Sequence, residues 1–161
     1  MAVLVSSLAH ESGHALVLRI FGADMIQFRV GALGAVIETD LSRLSYRQEV
    51  VAVLAGPAAN LLLVLLLPEG AELLIGANFV LGIFNLLPLP LLDGGRAVRI
   101  VLSWLLGPER GDWMSDIVGR TFALILGAGL RGLLVVTGGS LWLLPACGAA
   151  VRMVVQREQK R

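Results

Sequence analysis

Charge is what this sequence has least of. Charged side chains make up 16% of its 161 residues, against about a quarter in soluble domains. Hydrophobic residues reach 57%, with a mean hydropathy of +0.83. The length allows one domain, and this composition excludes an ordinary soluble one in favour of an integral membrane protein. A net charge of +1, without any basic-aromatic surface pattern, excludes nucleic acid as a partner. Cysteine occurs once, as Cys147, so no internal disulfide can form; in its apolar run it reads as a packing residue. The N-terminus lacks the basic segment and small-residue cleavage site of a signal peptide. The chain opens directly in apolar sequence, and a further helix is expected upstream. No internal repeat or low-complexity tract stands out.

Histidine is nearly absent too, and its placement is informative. Both histidines fall in "SSLAHESGHALVLRIFG", at positions 10 and 14, with Glu11 beside the first. On a helix, residues four apart share one face, so both imidazoles can reach one point. This H-E-x-x-H spacing suits a zinc ion held by His10 and His14, with Glu11 as general base. Ionisable groups inside an apolar helix are costly, and therefore usually functional.

About twenty apolar residues are needed to cross a bilayer as helix. Five stretches qualify, at about Ala2–Phe21, Val50–Leu67, Leu73–Leu92, Ile117–Val136 and Leu141–Val155. Between the third and fourth, Ala97–Leu106 is too short to span and reads as an interfacial helix. The connections "PEGAE" and "TGGS" carry no Lys or Arg, while every Lys and Arg except Arg131 falls on the opposite side of an alternating topology. By the positive-inside rule that opposite side is cytoplasmic, so the chain starts outside and its C-terminus lies inside. The expected location is the cell membrane, with several passes. Arg131, inside the fourth span, reads as snorkelling to the headgroups. Residues 25–39 mix β-branched and aromatic residues with Gly31 and Gly34. That pattern predicts a short β-hairpin on the cytoplasmic side, dipping into the membrane face. The expected fold class is an all-α polytopic bundle of about five transmembrane helices with this small hairpin.

A catalytic zinc takes three protein ligands and leaves one position open. With both histidines used, the third ligand must be a carboxylate or a thiolate. His14 lies five residues before Arg19, roughly 7 Å below the cytoplasmic boundary. Asp93 closes the third span at a comparable depth, three residues before Arg96. Glu69 and Glu72 are on the wrong side, and Asp112 and Asp116 lie in a connector that looks mobile. Glu38 and Asp40 remain open, since nothing fixes their height; Asp93 is the preferred candidate. In "NLLPLPLLDGG", Pro88 and Pro90 break regular helix just before it. Irregular backbone at membrane depth requires surrounding protein or a water-filled cavity. Gly94 and Gly95 permit close backbone approach. In "LAGPAANLLL" of the second span, Ala52, Gly56 and Ala59 allow close packing on the first span, beside Pro57. Asn60 needs a polar partner there, and a contact to a metal ligand would supply one.

HESGH, AGPAAN and NLLPLPLLDGG, in this order on three successive spans, resemble the site-2 protease family of intramembrane zinc metalloproteases. The likeness is nearest to the branch of the stage IV sporulation protein FB and covers about residues 1–106, which read as the protease core. Residues 107–161 read as a connector, two further transmembrane helices and a basic cytoplasmic tail. The resemblance implies one zinc per chain, bound by His10, His14 and Asp93, with Glu11 activating water. It also implies that Asn85 stabilises the oxyanion, and that the hairpin presents an edge, with Phe28, Val30, Val36 and Ile37, to a membrane-embedded protein substrate. The implied activity is peptide-bond hydrolysis within or next to transmembrane segments of a sporulation or signalling factor. Two departures stand out: that branch has a helix before the H-E-x-x-H span, where only nine residues precede His10, and neither a PDZ domain nor a cystathionine-β-synthase pair is present. Regulation by such appended domains is therefore not expected. Two rival readings are a membrane metal transporter and a catalytically silent scaffold. The first gives Glu11 no task; the second leaves a full catalytic set unused.

Overall fold

The computed structural model describes residues 1–23, 25–31, 34–39 and 44–136, the two strands by their backbone alone. The elements are α1 (Ala2–Ile20), β1 (Met25–Gly31), β2 (Gly34–Thr39), α2 (Tyr46–Leu66), α3 (Glu72–Asn85), α4 (Asp93–Leu106) and α5 (Pro108–Val136). The predicted fifth span, Cys147, Asp40 and the basic tail lie outside the described residues.

Local chemistry accounts for the ends of these elements. The α1 helix stops where Gly22 takes a positive φ of 71°, and the Ala23 amide reaches back to the Leu18 carbonyl. At the start of α2, Ser45 and Gln48 form a reciprocal capping box: the Ser45 hydroxyl accepts from the Gln48 amide, and the Gln48 side chain accepts from the Ser45 amide at 2.9 Å. Gly107, at φ 84°, turns the chain between α4 and α5, and Pro108 opens α5 where no N–H is needed. The strands pair antiparallel, with Phe28 opposite Ile37 and Val30 opposite Ala35, and β2 lies beside α1.

Helix α2 is the hub, packed against α1, α3 and α4, while α5 packs on α4. Close approach is built from small residues. A Cβ on Gly13 of α1 would come within 2.6 Å of the Ala55 carbonyl of α2, and one on Gly82 of α3 would press on Leu61 and Asn60. The burial pattern is inverted relative to a water-soluble core. Among the described residues, Asn60, Asn78, Pro57 and Ser6 are the largest fully buried side chains, whereas Leu65, Leu73 and Val80 stand exposed. Such a distribution, polar within and apolar without, suits hydrocarbon surroundings.

Two expectations change. The third apolar stretch does not run as helix to Leu92: α3 ends at Asn85 and residues 86–92 form turns. The cause is Pro88 and Pro90, which remove two amide donors and push their preceding residues out of the helical region. The region around Asp112 and Asp116 is not a mobile connector either. It forms the first turns of α5, where Asp112 accepts from Arg99 Nε at 2.7 Å and Nη2 at 2.9 Å. That contact with Asp112 holds the Arg99 guanidinium above its ordinary pKa. Among the described residues, one helix, α2, is long and apolar enough to cross a membrane; α3 is a shorter apolar helix.

Candidate metal centre

His10 and His14 project from one face of α1, as their spacing requires, with ring centroids 4.8 Å apart and planes at 82°. Asp93 is the first residue of α4, where the helix N-terminus favours a carboxylate. Its placement depends on the turns before it. A Cβ on Gly94 would strike the Leu86 and Leu87 carbonyls, and one on Gly95 would strike the Leu89 carbonyl. The glycine pair therefore lets residues 86–90 lie directly on the first turn of α4. From the other side Gly119 of α5 meets Pro90, where a Cβ would approach the ring to 3.0 Å.

Three atoms converge in this arrangement. His10 Nε2 lies 2.9 Å from Asp93 Oδ2, His14 Nε2 lies 3.3 Å from the same oxygen, and the two Nε2 atoms are 3.2 Å apart. Asp93 Oδ1 turns away, toward Arg96 Nη1 at 3.9 Å. His10 and Asp93 are buried and His14 nearly so.

The outer nitrogens of both rings face acceptors. His14 Nδ1 donates to the Ala52 carbonyl at 2.8 Å, next to the turn where Pro57 supplies no N–H to Val53. His10 Nδ1 donates to Asn60 Oδ1 at 2.6 Å. With both Nδ1 atoms protonated, each Nε2 presents a lone pair, and two lone pairs then face a carboxylate oxygen. Three acceptors in one triangle repel one another unless a cation lies among them.

A zinc ion fits this donor set. Bonds of about 2.0 to 2.2 Å in a tetrahedron hold neighbouring ligand atoms roughly 3.3 Å apart, and the triangle has edges of 2.9, 3.2 and 3.3 Å. Gly56 of α2 faces the same space. A Cβ there would collide with His14 Nε2 and lie 2.8 Å from His10 Nε2, so even a methyl group would crowd both nitrogens. Among the described residues, Asp93 is the carboxylate that joins both histidines; Asp40 and the side chain of Glu38 lie outside them.

The other expected site residues divide. Glu11 is half-buried beside His10 on α1. Asn60 Oδ1 faces His10 Nδ1 at 2.6 Å. Asn85 does not join the triangle's hydrogen bonds; its amide donates to the Leu81 carbonyl one turn back in α3. Phe28, Val30, Val36 and Ile37 lie on the paired strands. Sequence reasoning missed Asn78, fully buried and hydrogen-bonded to Asn60 at 2.7 Å. The signal was available: an amide inside an apolar helix, the same one that marked Asn60.

Comparison with known proteins agrees with this geometry. The sequence profile described as Peptidase family M50 matches residues 67–128, from just past the end of α2 into α5. A putative zinc metalloprotease of Synechocystis is 28% identical over an alignment covering 99% of this chain and 48% of that protein. The putative zinc metalloprotease Rip3 of Mycobacterium tuberculosis is 32% identical, over 77% of this chain and 36% of that protein. The chain thus spans about half or less of the length of the curated relatives it matches. The site-2 protease from Methanocaldococcus jannaschii superposes with a TM-score of 0.64 at 25% identity, over 98% of this chain and 74% of that one. The chain therefore has the fold of that site-2 protease, with the Peptidase family M50 match across its α3–α5 region.

Proposed function

We propose that this chain is an intramembrane zinc metalloprotease of the site-2 type, hydrolysing peptide bonds within or next to membrane-spanning segments of its protein substrates. The convergence of His10 Nε2, His14 Nε2 and Asp93 Oδ2, each positioned by a different structural device, carries this reading. His10 Nε2, His14 Nε2 and Asp93 Oδ2 would hold one zinc per chain, which would supply Lewis-acid chemistry and lower the pKa of water at the site toward neutrality. Glu11 takes the proton of the attacking water on its carboxylate and returns it to the leaving amine. Asn85 exchanges its bond to Leu81 for one to the developing oxyanion. The outer edge of the β1–β2 pair receives an unwound substrate strand by backbone hydrogen bonds over residues 28–37, with Phe28, Val30, Val36 and Ile37 meeting its side chains.

The inverted burial and the one-sided distribution of Lys and Arg support a multi-pass protein of the cell membrane, with the hairpin and C-terminus cytoplasmic. Residues 1–106 form its protease core. We assign it to the branch of the stage IV sporulation protein FB on the likeness of its three motifs, and with it a membrane-bound signalling or sporulation factor as substrate.

The test is reconstitution of the full chain in vesicles with a reporter substrate carrying one membrane span. One zinc per chain and a cut within or beside the span are expected. Zinc moving into the vesicles without a cut would identify a transporter, and neither zinc nor cleavage a silent scaffold.

A further inference from the structure

Three side chains buried between α1, α2 and α3 form a hydrogen-bonded series whose direction is fixed at its far end. Asn78 Nδ2 lies 2.8 Å from the Leu74 carbonyl. A backbone carbonyl only accepts, so the atom facing it must be the amide nitrogen, and Asn78 Oδ1 must face Asn60. The Asn60 atom 2.7 Å from that oxygen must then be its nitrogen, which also reaches the Ser6 carbonyl at 2.9 Å. Asn60 Oδ1 is left to face His10 Nδ1 at 2.6 Å, so Nδ1 must carry the ring proton. The lone pair falls on Nε2, toward Asp93. Asn60 and Asn78 are both fully buried, so water does not compete for these bonds.

We propose that Asn78 is a positioning residue that sets, through Asn60, which ring nitrogen of His10 carries the proton, and so tunes zinc affinity from one residue beyond the ligand's own partner. The inference rests on the metalloprotease reading for the identity of the metal. Asn78 fixes a proton on Nδ1, and Nε2 stays available without reorientation of the ring. Without Asn78, the Asn60 nitrogen loses one of its two acceptors and keeps the Ser6 carbonyl alone, so the orientation that aims Oδ1 at His10 is held more weakly and the second His10 tautomer gains population. Outer partners of metal-ligating histidines act in this way, and their loss typically weakens metal binding about 10- to 100-fold.

The sequence makes the test direct, because the chain has only two histidines. The full chain labelled with 15N-histidine in micelles shows two imidazoles, and His14, bonded to the Ala52 carbonyl, is the internal control. In the metal-free wild type, at an alkaline pH where neither ring is doubly protonated, both rings are expected as the Nδ1–H tautomer. In Asn78→Leu, His10 is expected to become a tautomer mixture while His14 does not change, with zinc binding about 10- to 100-fold weaker by chelator competition. Asn78→Asp should restore both, since a carboxyl buried there without a counter-charge stays protonated, donating to Leu74 and accepting from Asn60. Asn78→Ser, which withdraws the acceptor from Asn60 with less loss of volume, serves if the leucine variant does not fold. A folded Asn78→Leu or Asn78→Ser chain with His10 still wholly Nδ1–H and zinc affinity unchanged would overturn the proposal. The two readings fail separately. A wild type that binds no zinc, while Asn78→Leu still shows the tautomer change, would sink the metal reading alone. One that binds zinc and cuts, with Asn78 variants silent, would sink this inference alone.

Discussion

At residue 56 one methyl group would press on both candidate histidine ligands. Gly56 belongs to α2 and is not itself a candidate ligand, yet a Cβ there would lie against His14 Nε2 and His10 Nε2. Alanine is intrinsically better than glycine in a helix by about 1 kcal/mol, so helix propensity alone would favour Gly56→Ala. The expected outcome is a folded chain whose zinc affinity falls by more than about 100-fold, beyond the range of an outer-partner loss. Elemental analysis with circular dichroism checks it; retained tight zinc would mean that the ion lies elsewhere. The ligands themselves were legible in the sequence because they are rare and spaced for one helix face. Asp93 was reached by comparing depths along two spans. Asn78 carried the same signal as Asn60, an amide in an apolar helix, but its pairing was not legible, because its partner is eighteen positions away on another helix and no local spacing links them.

The elements around Asp93 hold it by backbone contact. Residues 86–92 are pressed onto α4 through Gly94 and Gly95 and backed by Gly119 of α5. The prolines announced a break in the sequence; its length, from Asn85 to Asp93, depends on how those turns pack against two later helices, which no local pattern encodes. Gly94→Ala sets a methyl group against backbone carbonyls that cannot rotate away. Overpacking of this kind costs about 1–3 kcal/mol, and because the adjacent residue is Asp93, zinc binding should weaken in parallel. Denaturant titration alongside zinc competition reads both. The Arg99–Asp112 pair between α4 and α5 provides the contrast. Both side chains are about half exposed, and exposed ion pairs contribute about 0–1 kcal/mol. Arg99→Ala should therefore shift the unfolding midpoint little and leave zinc affinity intact. A loss as large as that of Gly94→Ala would show that the pair, not the glycine contact, orders this end of the bundle.

Across the whole molecule the inversion of polarity ties fold to function. Buried amides and imidazoles line the junction of α1, α2 and α3, and exposed leucines and valines surround it. Composition and hydropathy made the membrane character legible; the number of helices that span is a property of the bilayer and chain together. Cysteine-scanning tests it in a Cys147→Ser background: Glu69→Cys should react with an impermeant reagent on intact cells, and Gln159→Cys only after permeabilisation. Reaction of both from outside would contradict the topology. The central claim, that three side chains hold a zinc and a fourth uses it, is tested most directly by comparing Glu11→Gln with Asp93→Ala. The measurement is zinc per chain together with cleavage of a membrane reporter. Glu11→Gln keeps the ligands and loses the base, so full zinc is expected with turnover reduced by about 10²- to 10⁴-fold. Asp93→Ala is expected to lose both zinc and cleavage. Tight zinc retained in Asp93→Ala, or undiminished cleavage in Glu11→Gln, would contradict it.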